Sequence, residues 1–226
     1  MIENNVMAYC DISKLLRECK GLLFDFDGVL ADSEPYFRKA WNRVLEPFGH
    51  SVSERDYWYH WASLGEGIEG EIRRHGLEGI DVGGAKAKQK RFYREFVERG
   101  DIPLFPTTAE LLHTLLSPPF KTRFPFRIAS NSDCDVIESI LLNGGAQVPA
   151  ITGGRGLKKK PAPDIFLKAA DELNLSASEI LVFEDSQKGI DAAYAGGFTP
   201  VLVKNRLNAD IGIHCTYTVS GLDYIL

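Results

Sequence analysis

GLLFDFDGVLADSE, residues 21–34, runs from an unbroken apolar segment straight into two aspartates one residue apart. Leu22, Leu23 and Phe24, with Phe26, lack the alternation of a half-exposed strand. An apolar run of this kind suits a strand covered on both faces, as in a parallel sheet. If the strand continues, residues i and i+2 share a face, so Asp25 and Asp27 aim at nearly the same place. Two bare carboxylates so placed repel, and burial raises their pKa values. The arrangement is stable only if something positive joins it.

Beyond residue 34 the pattern changes. Asp32 or Ser33 can cap a helix whose first turn tolerates Pro35. Helical patterns then follow at 36–48, 54–62, 67–74 and 84–99, separated by Gly-containing breaks, with no strand between them. After Pro106 strands and helices alternate. Strands are expected at 124–129, 148–152, 180–183 and 199–203, with helices at 109–116, 134–142, 164–173 and 188–195. Such alternation indicates a parallel sheet with right-handed crossovers. A short amphipathic helix over 11–19, with Ile12, Leu15, Leu16 and Cys19 on one side, is expected to pack on the main body. The fold expected is α/β: a Rossmann-like parallel five-stranded sheet interrupted after its first strand by a helical insertion. The core takes residues 1–34 and 105–226 and the inserted cap takes 35–104.

The 226 residues suffice for such a core and a smaller appended unit. A formal net charge of −5 leaves no basic excess to neutralise phosphates, so a nucleic-acid partner is not expected. Cys10, Cys19, Cys134 and Cys215 form no C-x-x-C pair and suit a reducing compartment. No apolar stretch approaches the ~20 residues of a membrane span. No basic segment followed by an apolar one opens the sequence, so no secretory signal is expected, and the cytoplasm is the expected location.

In an open α/β sheet, ligands bind beyond the carboxyl ends of the strands. Those ends carry Asp25-Phe26-Asp27-Gly28, Ser130-Asn131-Ser132, Lys160 in the loop after the third strand, and Glu184-Asp185-Ser186. Four carboxylates, a lysine and a hydroxyl would share one crevice. A hard divalent cation relieves their repulsion, and an oxygen-only donor set with retained waters favours Mg²⁺. A cation with a lysine opposite is suited to hold a phosphoryl group, and Ser130 can complete the cradle. One aspartate can attack phosphorus while its neighbour carries the proton for the leaving oxygen.

DFDGVLADSE, the strand ending in Ser130-Asn131-Ser132, KPAPDIF and VFEDSQKGIDAA resemble, in order, the four motifs of the haloacid dehalogenase superfamily. More narrowly they resemble its phosphatase and beta-phosphoglucomutase-like branch, over about residues 20–204. The resemblance implies Asp25 as nucleophile and metal ligand, and Asp27 as general acid/base with its backbone carbonyl on the metal. It implies Ser130, Asn131 and Lys160 as phosphate-binding residues, and Asp185 with Glu184 as further metal ligands. The implied activity is a Mg²⁺-dependent phosphatase acting on a small phosphorylated metabolite, a sugar phosphate or a phosphoglycolate-like molecule, through an aspartyl-phosphate. A phosphomutase is the alternative, and a phosphoryl-accepting signalling module a distant one. Against the mutase stand Phe37, where branch mutases carry a histidine, and a cap loop at 63–70 with Glu66 and Glu69 but no basic residue before Arg73. The five histidines show no ligand spacing, and the sequence does not fix oligomeric state.

Overall fold

The computed structural model describes residues 12–225. Residues 12–18 form helix α1, and strand β1 (Gly21–Phe24) follows at once. Cys10, and the start of the helix expected at 11, lie outside the described residues.

Every pairing in the sheet is parallel, and its order is β3-β2-β1-β4-β5-β6. The strands are β2 (Phe126–Ser130), β3 (Ile151–Gly153), β4 (Ile180–Glu184), β5 (Thr199–Val203) and β6 (Tyr217–Val219). The sheet thus has six strands where five were expected. Tyr217-Thr218-Val219 is three residues long and sits on the edge, too short to show a period. Helices α6 (Thr108–Leu116), α7 (Phe120–Arg123), α8 (Cys134–Asn143), α9 (Asp164–Leu173) and α10 (Gln187–Ala195) connect the strands. Of these, α7 is one turn inside the proline-containing segment and carries no pattern of its own.

β1 is the pivot of this topology. Leu22–Phe24 pair with Phe126–Ile128 on one side, and Gly21–Phe24 with Ile180–Phe183 on the other. Leu22, Leu23 and Phe24 are all buried, Leu23 in a cluster with α9 and α10 and the other two on the opposite face. The unbroken apolar run is therefore the signature of a strand sandwiched between helices. Strand order reverses at β1, which places the ligand crevice at its carboxyl end.

Between β1 and α6 lie α2 (Glu34–Leu45), α3 (Glu54–Asp56, continuing as a wider π-type helix over Tyr57–Ser63), α4 (Gly67–His75) and α5 (Val82–Glu98). They enclose a hydrophobic cluster of their own, built on Trp41, Trp58, Trp61, Leu45 and Ile68. The three tryptophans are thus packing residues of this layer. A loop after β5 returns to it: Leu207 and Ile211 pack on that cluster. Arg206 reaches Glu54 on α3 at 2.7 Å and Asp32, just before α2, at 3.3 Å. The loop after β5 thus ties the helical layer to the core.

Candidate active site

Four loops meet at the carboxyl end of β1, and one ammonium group sits among them. Lys160 Nζ donates to Asp25 Oδ1 at 2.8 Å, to Glu184 Oε1 at 2.7 Å and to the Ala129 carbonyl at 3.3 Å. Lys160 is buried, whereas the two lysines before it in sequence, Lys158 and Lys159, are exposed. Burial opposes its charge, but Asp25 and Glu184 outweigh burial and hold the ammonium charged.

Asp25, Glu184 and Asp185 each present a carboxylate oxygen within 4.8 Å of the others, and all three are buried. Glu184 Oε2 accepts from Asp185 N–H at 2.9 Å, Ser186 N–H at 3.2 Å and Ser186 Oγ at 3.0 Å. Among the described residues its Oε1 accepts only from Lys160. Asp185 Oδ2 accepts from Asn205 Nδ2 at 3.0 Å, and the same amide donates to the Gly28 carbonyl at 2.9 Å. Asn208, fully buried, donates to the Asp185 carbonyl at 2.9 Å.

Glycine is required at two places here. Gly28 has φ 79°, and a Cβ on it would sit 1.8 Å from Asp185 Oδ2. A Cβ on Gly189 would lie 1.9 Å from the Glu184 carboxyl carbon. Each glycine leaves room for one carboxylate of the cluster.

The charges do not balance. Asp25, Asp27, Glu34, Glu184 and Asp185 line the inner chamber with only two lysines, Lys160 and Lys188, among the described residues. Burial first, then the repulsion of Glu184 and Asp27, pushes the Asp25 carboxyl up to about 7 in spite of Lys160. Burial, with Glu184 and Asp25 beside it, likewise raises Asp185 well above the ordinary carboxylate range. An excess of carboxylates over lysines, on oxygen donors, fits a hard divalent cation.

Asp27 lies beside this cluster and belongs to a hydroxyl network. Ser33 Oγ donates to Asp27 Oδ1 at 2.6 Å, and Ser132 Oγ to Oδ2 at 2.6 Å. Ser130 Oγ stands 3.4 Å from the same Oδ2 and accepts from Ser132 N–H at 3.1 Å. Ser33 occupies the N-cap position of α2 but makes no capping bond. The capping expected of it gives way to the stronger charge-assisted bond to Asp27.

The crevice has two chambers. The inner one, of about 70 Å³, is lined by Asp25, Ser130, Lys160, Glu184 and Asp185. The outer one, of about 300 Å³, lies between the core and α2, α3 and α5. Asp27, Glu34, Asn131 and Lys188 line both. Burial pushes the Glu34 carboxyl up to about 7, opposed by Lys188, and the Tyr57 hydroxyl bonds to it. All seven residues singled out by sequence, Asp25, Asp27, Ser130, Asn131, Lys160, Glu184 and Asp185, line the inner chamber.

Sequence reasoning missed Ser33, Ser132, Lys188, Asn205 and Asn208. The strand-end rule could have found the asparagines, since they follow β5 as the others follow β1, β2 and β4. Nothing local marks Lys188. The histidines need a correction too: His50 and His75, far from any ligand spacing, both meet Glu71, at 2.7 and 3.3 Å. Only the folding of the segment after α2 onto α4 brings them together.

A family model described as haloacid dehalogenase-like hydrolase matches residues 19–197. A Drosophila melanogaster protein named "Probable pseudouridine-5'-phosphatase" is 29% identical over 224 residues, covering 93% of this chain and 93% of its own. Fructose-1-phosphate phosphatase YqaB of Escherichia coli is 30% identical, over 81% of this chain and 96% of its own. The crystal structure of CbbY from Rhodobacter sphaeroides in complex with phosphate superposes with a TM-score of 0.73 at 19% identity. That superposition covers 90% of this chain and 94% of the other, and the likeness is one of fold.

Proposed function

The chain belongs to the haloacid dehalogenase-like hydrolase family, and on that premise we propose that it is a Mg²⁺-dependent phosphatase working through an aspartyl-phosphate on Asp25. Its family and its phosphatase-named relatives make it a phosphatase-type hydrolase; the metal, the intermediate and the substrate are the reading proposed here. The substrate is a small phosphorylated metabolite, a sugar phosphate or a phosphoglycolate-like molecule. The observation that carries this is the convergence of Asp25, Asp185, Glu184 and Lys160 on one small buried chamber, with more negative charge than Lys160 can offset.

Asp25, Asp185 and the backbone carbonyl of Asp27 would hold the cation, and Glu184 would add charge and the lone pair left on Oε1. When bound, Mg²⁺ supplies charge neutralisation for Asp25 and for phosphoryl oxygens. Lys160, positioned by Asp25 and Glu184, keeps a fixed positive charge in the chamber for phosphoryl oxygens. Ser130 and Asn131 line the remaining wall, where their polar groups can bind the phosphoryl oxygens.

In the first step an Asp25 oxygen attacks phosphorus, and the bond from phosphorus to the ester oxygen breaks. Asp27 passes its proton to that oxygen, releasing an alcohol. In the second step water attacks the phosphorus of the aspartyl-phosphate. Asp27 takes the proton from that water, and inorganic phosphate leaves with the Asp25 carboxylate restored. Hydroxyls accept as readily as they donate. Ser33 and Ser132 can therefore hold Asp27 in place with or without its proton.

We take residues 35–104 as a cap that closes the outer chamber over the substrate, and 1–34 with 105–226 as the core. The cytoplasm remains the proposed location; among the described residues the cysteines are free, and no helix is long and apolar enough to cross a membrane. The mutase alternative is not favoured. The Phe37 ring stacks on Tyr93 at 3.8 Å and 6°, and a phenyl ring at this position of the outer wall can carry no proton. The test is turnover of a phosphomonoester panel with and without Mg²⁺, by the native chain and by Asp25→Asn. Asp25→Asn retaining full activity would rule the mechanism out.

A further inference from the structure

Asp185 is gripped at both ends by the loop that follows β5. Asn208 Nδ2 donates to the Asp185 carbonyl and to the Val203 carbonyl, each at 2.9 Å, and its Oδ1 accepts from Asn205 N–H at 2.9 Å. Asn205 Oδ1 accepts from the backbone N–H groups of Leu207 and Asn208, at 2.8 and 3.1 Å. Its Nδ2 donates to the Gly28 carbonyl at 2.9 Å and to Asp185 Oδ2 at 3.0 Å. Both protons and both lone pairs of the Asn205 amide are thus used. Turned over, the same amide would set its oxygen against two acceptors and its protons against two donors. Its orientation is therefore fixed, and with it the donor it offers to Asp185.

The grip decides how many oxygens Asp185 can give. Oδ2 is drawn onto the Gly28 backbone, into the space that a Cβ on Gly28 would need. One oxygen of the carboxylate is thus spent on the loop and the glycine, and Oδ1 is the one not so held. Cations differ in what they ask of such a group. Mg²⁺ is small and demands a near-ideal octahedron, which one oxygen from each carboxylate satisfies. Ca²⁺ is larger, takes more oxygens in looser geometry, and accepts carboxylates through both oxygens at once. A carboxylate pinned by one oxygen suits the first ion and withholds a donor from the second.

We propose that Asn205 is a positioning residue that sets the metal preference of the site: by holding Asp185 Oδ2 on the Gly28 backbone it keeps this carboxylate to one available oxygen, and so favours Mg²⁺ over Ca²⁺. This rests on the divalent-cation reading above and deepens it. Asn205 acts through Asp185 and touches neither substrate nor ion. Asn208 supplies the fixed frame, since it ties the Asp185 backbone and the Asn205 backbone to the end of β5. Partners of this kind, one step behind the ligands, orient the ligands and tune the ion they take.

The experiment titrates Mg²⁺ and, separately, Ca²⁺ into the native chain, Asn205→Leu, Asn205→Ala and Arg206→Ala, and reads each Kd by calorimetry. A thermal melt of each variant reports the fold; should the bulkier leucine unfold the loop, the alanine variant carries the test. In the Asn205 variants the Kd for Mg²⁺ should rise about 10- to 100-fold. The Kd for Ca²⁺ should rise far less or fall, because Asp185 can then turn both oxygens to the ion. The ratio of the two affinities therefore moves toward Ca²⁺. Arg206→Ala loosens the same loop from the helical layer but leaves the amide in place, and should keep the native ratio. A merely structural role for Asn205 would weaken both ions alike; that result, unchanged binding of both, or the same change of ratio in Arg206→Ala, overturns the inference. A native chain that binds neither ion sinks the cation reading and this inference with it, and the native titration alone tells that case apart.

Discussion

Two buried carboxylate clusters in this molecule have opposite fates. In the helical layer, Glu71 is 1% exposed, and its lone pairs are filled. His50 bonds to Oε1 at 2.7 Å, Trp61 Nε1 donates to Oε2 at 2.8 Å, and Arg74 pairs with the same Oε2. Burial alone would raise its pKa, but the bonds from His50 and Trp61 and the charges of Arg74 and His75 hold it below the usual range. In the core, Asp25 and Asp185 have fewer donors and more like-charged neighbours, and both are pushed up. Glu71 is completed by the protein; the core cluster is left short of positive charge. A carboxylate of the first kind stabilises the fold, while one of the second kind is kept at a cost, which marks it as a candidate for function.

The largest expected effect is catalytic. Asp25→Asn should lower phosphatase turnover about 10⁴-fold or more, since it removes the attacking oxygen anion. Its thermal melt should not fall, because a neutral amide relieves the crowding of negative charge. A melt well below the native one would make the two clusters alike and break the contrast.

Glu71→Gln should do the reverse. It leaves Arg74 and His50 without their anion and should cost about 2–3 kcal/mol of stability, read by denaturant unfolding. Its kcat should change far less than that of Asp25→Asn.

A smaller effect appears with pH. Glu71 has a depressed pKa in the folded state, so its contribution is fully present above the ordinary carboxylate pKa of 4.5 and is lost as pH falls through the folded value. The stability difference between the native chain and Glu71→Gln should therefore narrow as the pH is taken from 7 to below about 4. A difference that is constant over that range would contradict the assignment. The smallest effect belongs to Arg206→Ala. Its pairs with Glu54 and Asp32 are exposed, so the loss should be no more than about 1 kcal/mol and should shrink in high salt.

The core cluster was legible in the sequence and the cap cluster was not, and the reason is geometric. Asp25, Ser130, Lys160 and Asp185 each follow a strand, and a parallel sheet brings all its strand ends to one edge. Sequence order is then enough to predict that they meet. His50, Glu71 and His75 come together through the packing of separate helices, where no rule of order applies. The helical layer was recognised from its periodicity, and Asp164–Leu173 and Thr199–Val203 fall where expected. β6 was too short to read. Ser33 was legible as a cap because its local sequence says so, but Asp27, six residues earlier, competes for its hydroxyl and wins.

The central claim is that the core cluster is arranged around one divalent cation. Calorimetric titration of Mg²⁺ into the native chain and into Asp185→Asn tests it most directly. One site per chain in the native protein, lost or greatly weakened in Asp185→Asn while Glu71→Gln still binds, is the predicted result. Equal binding by the native chain and Asp185→Asn, or full phosphatase turnover in the presence of excess chelator, would contradict it.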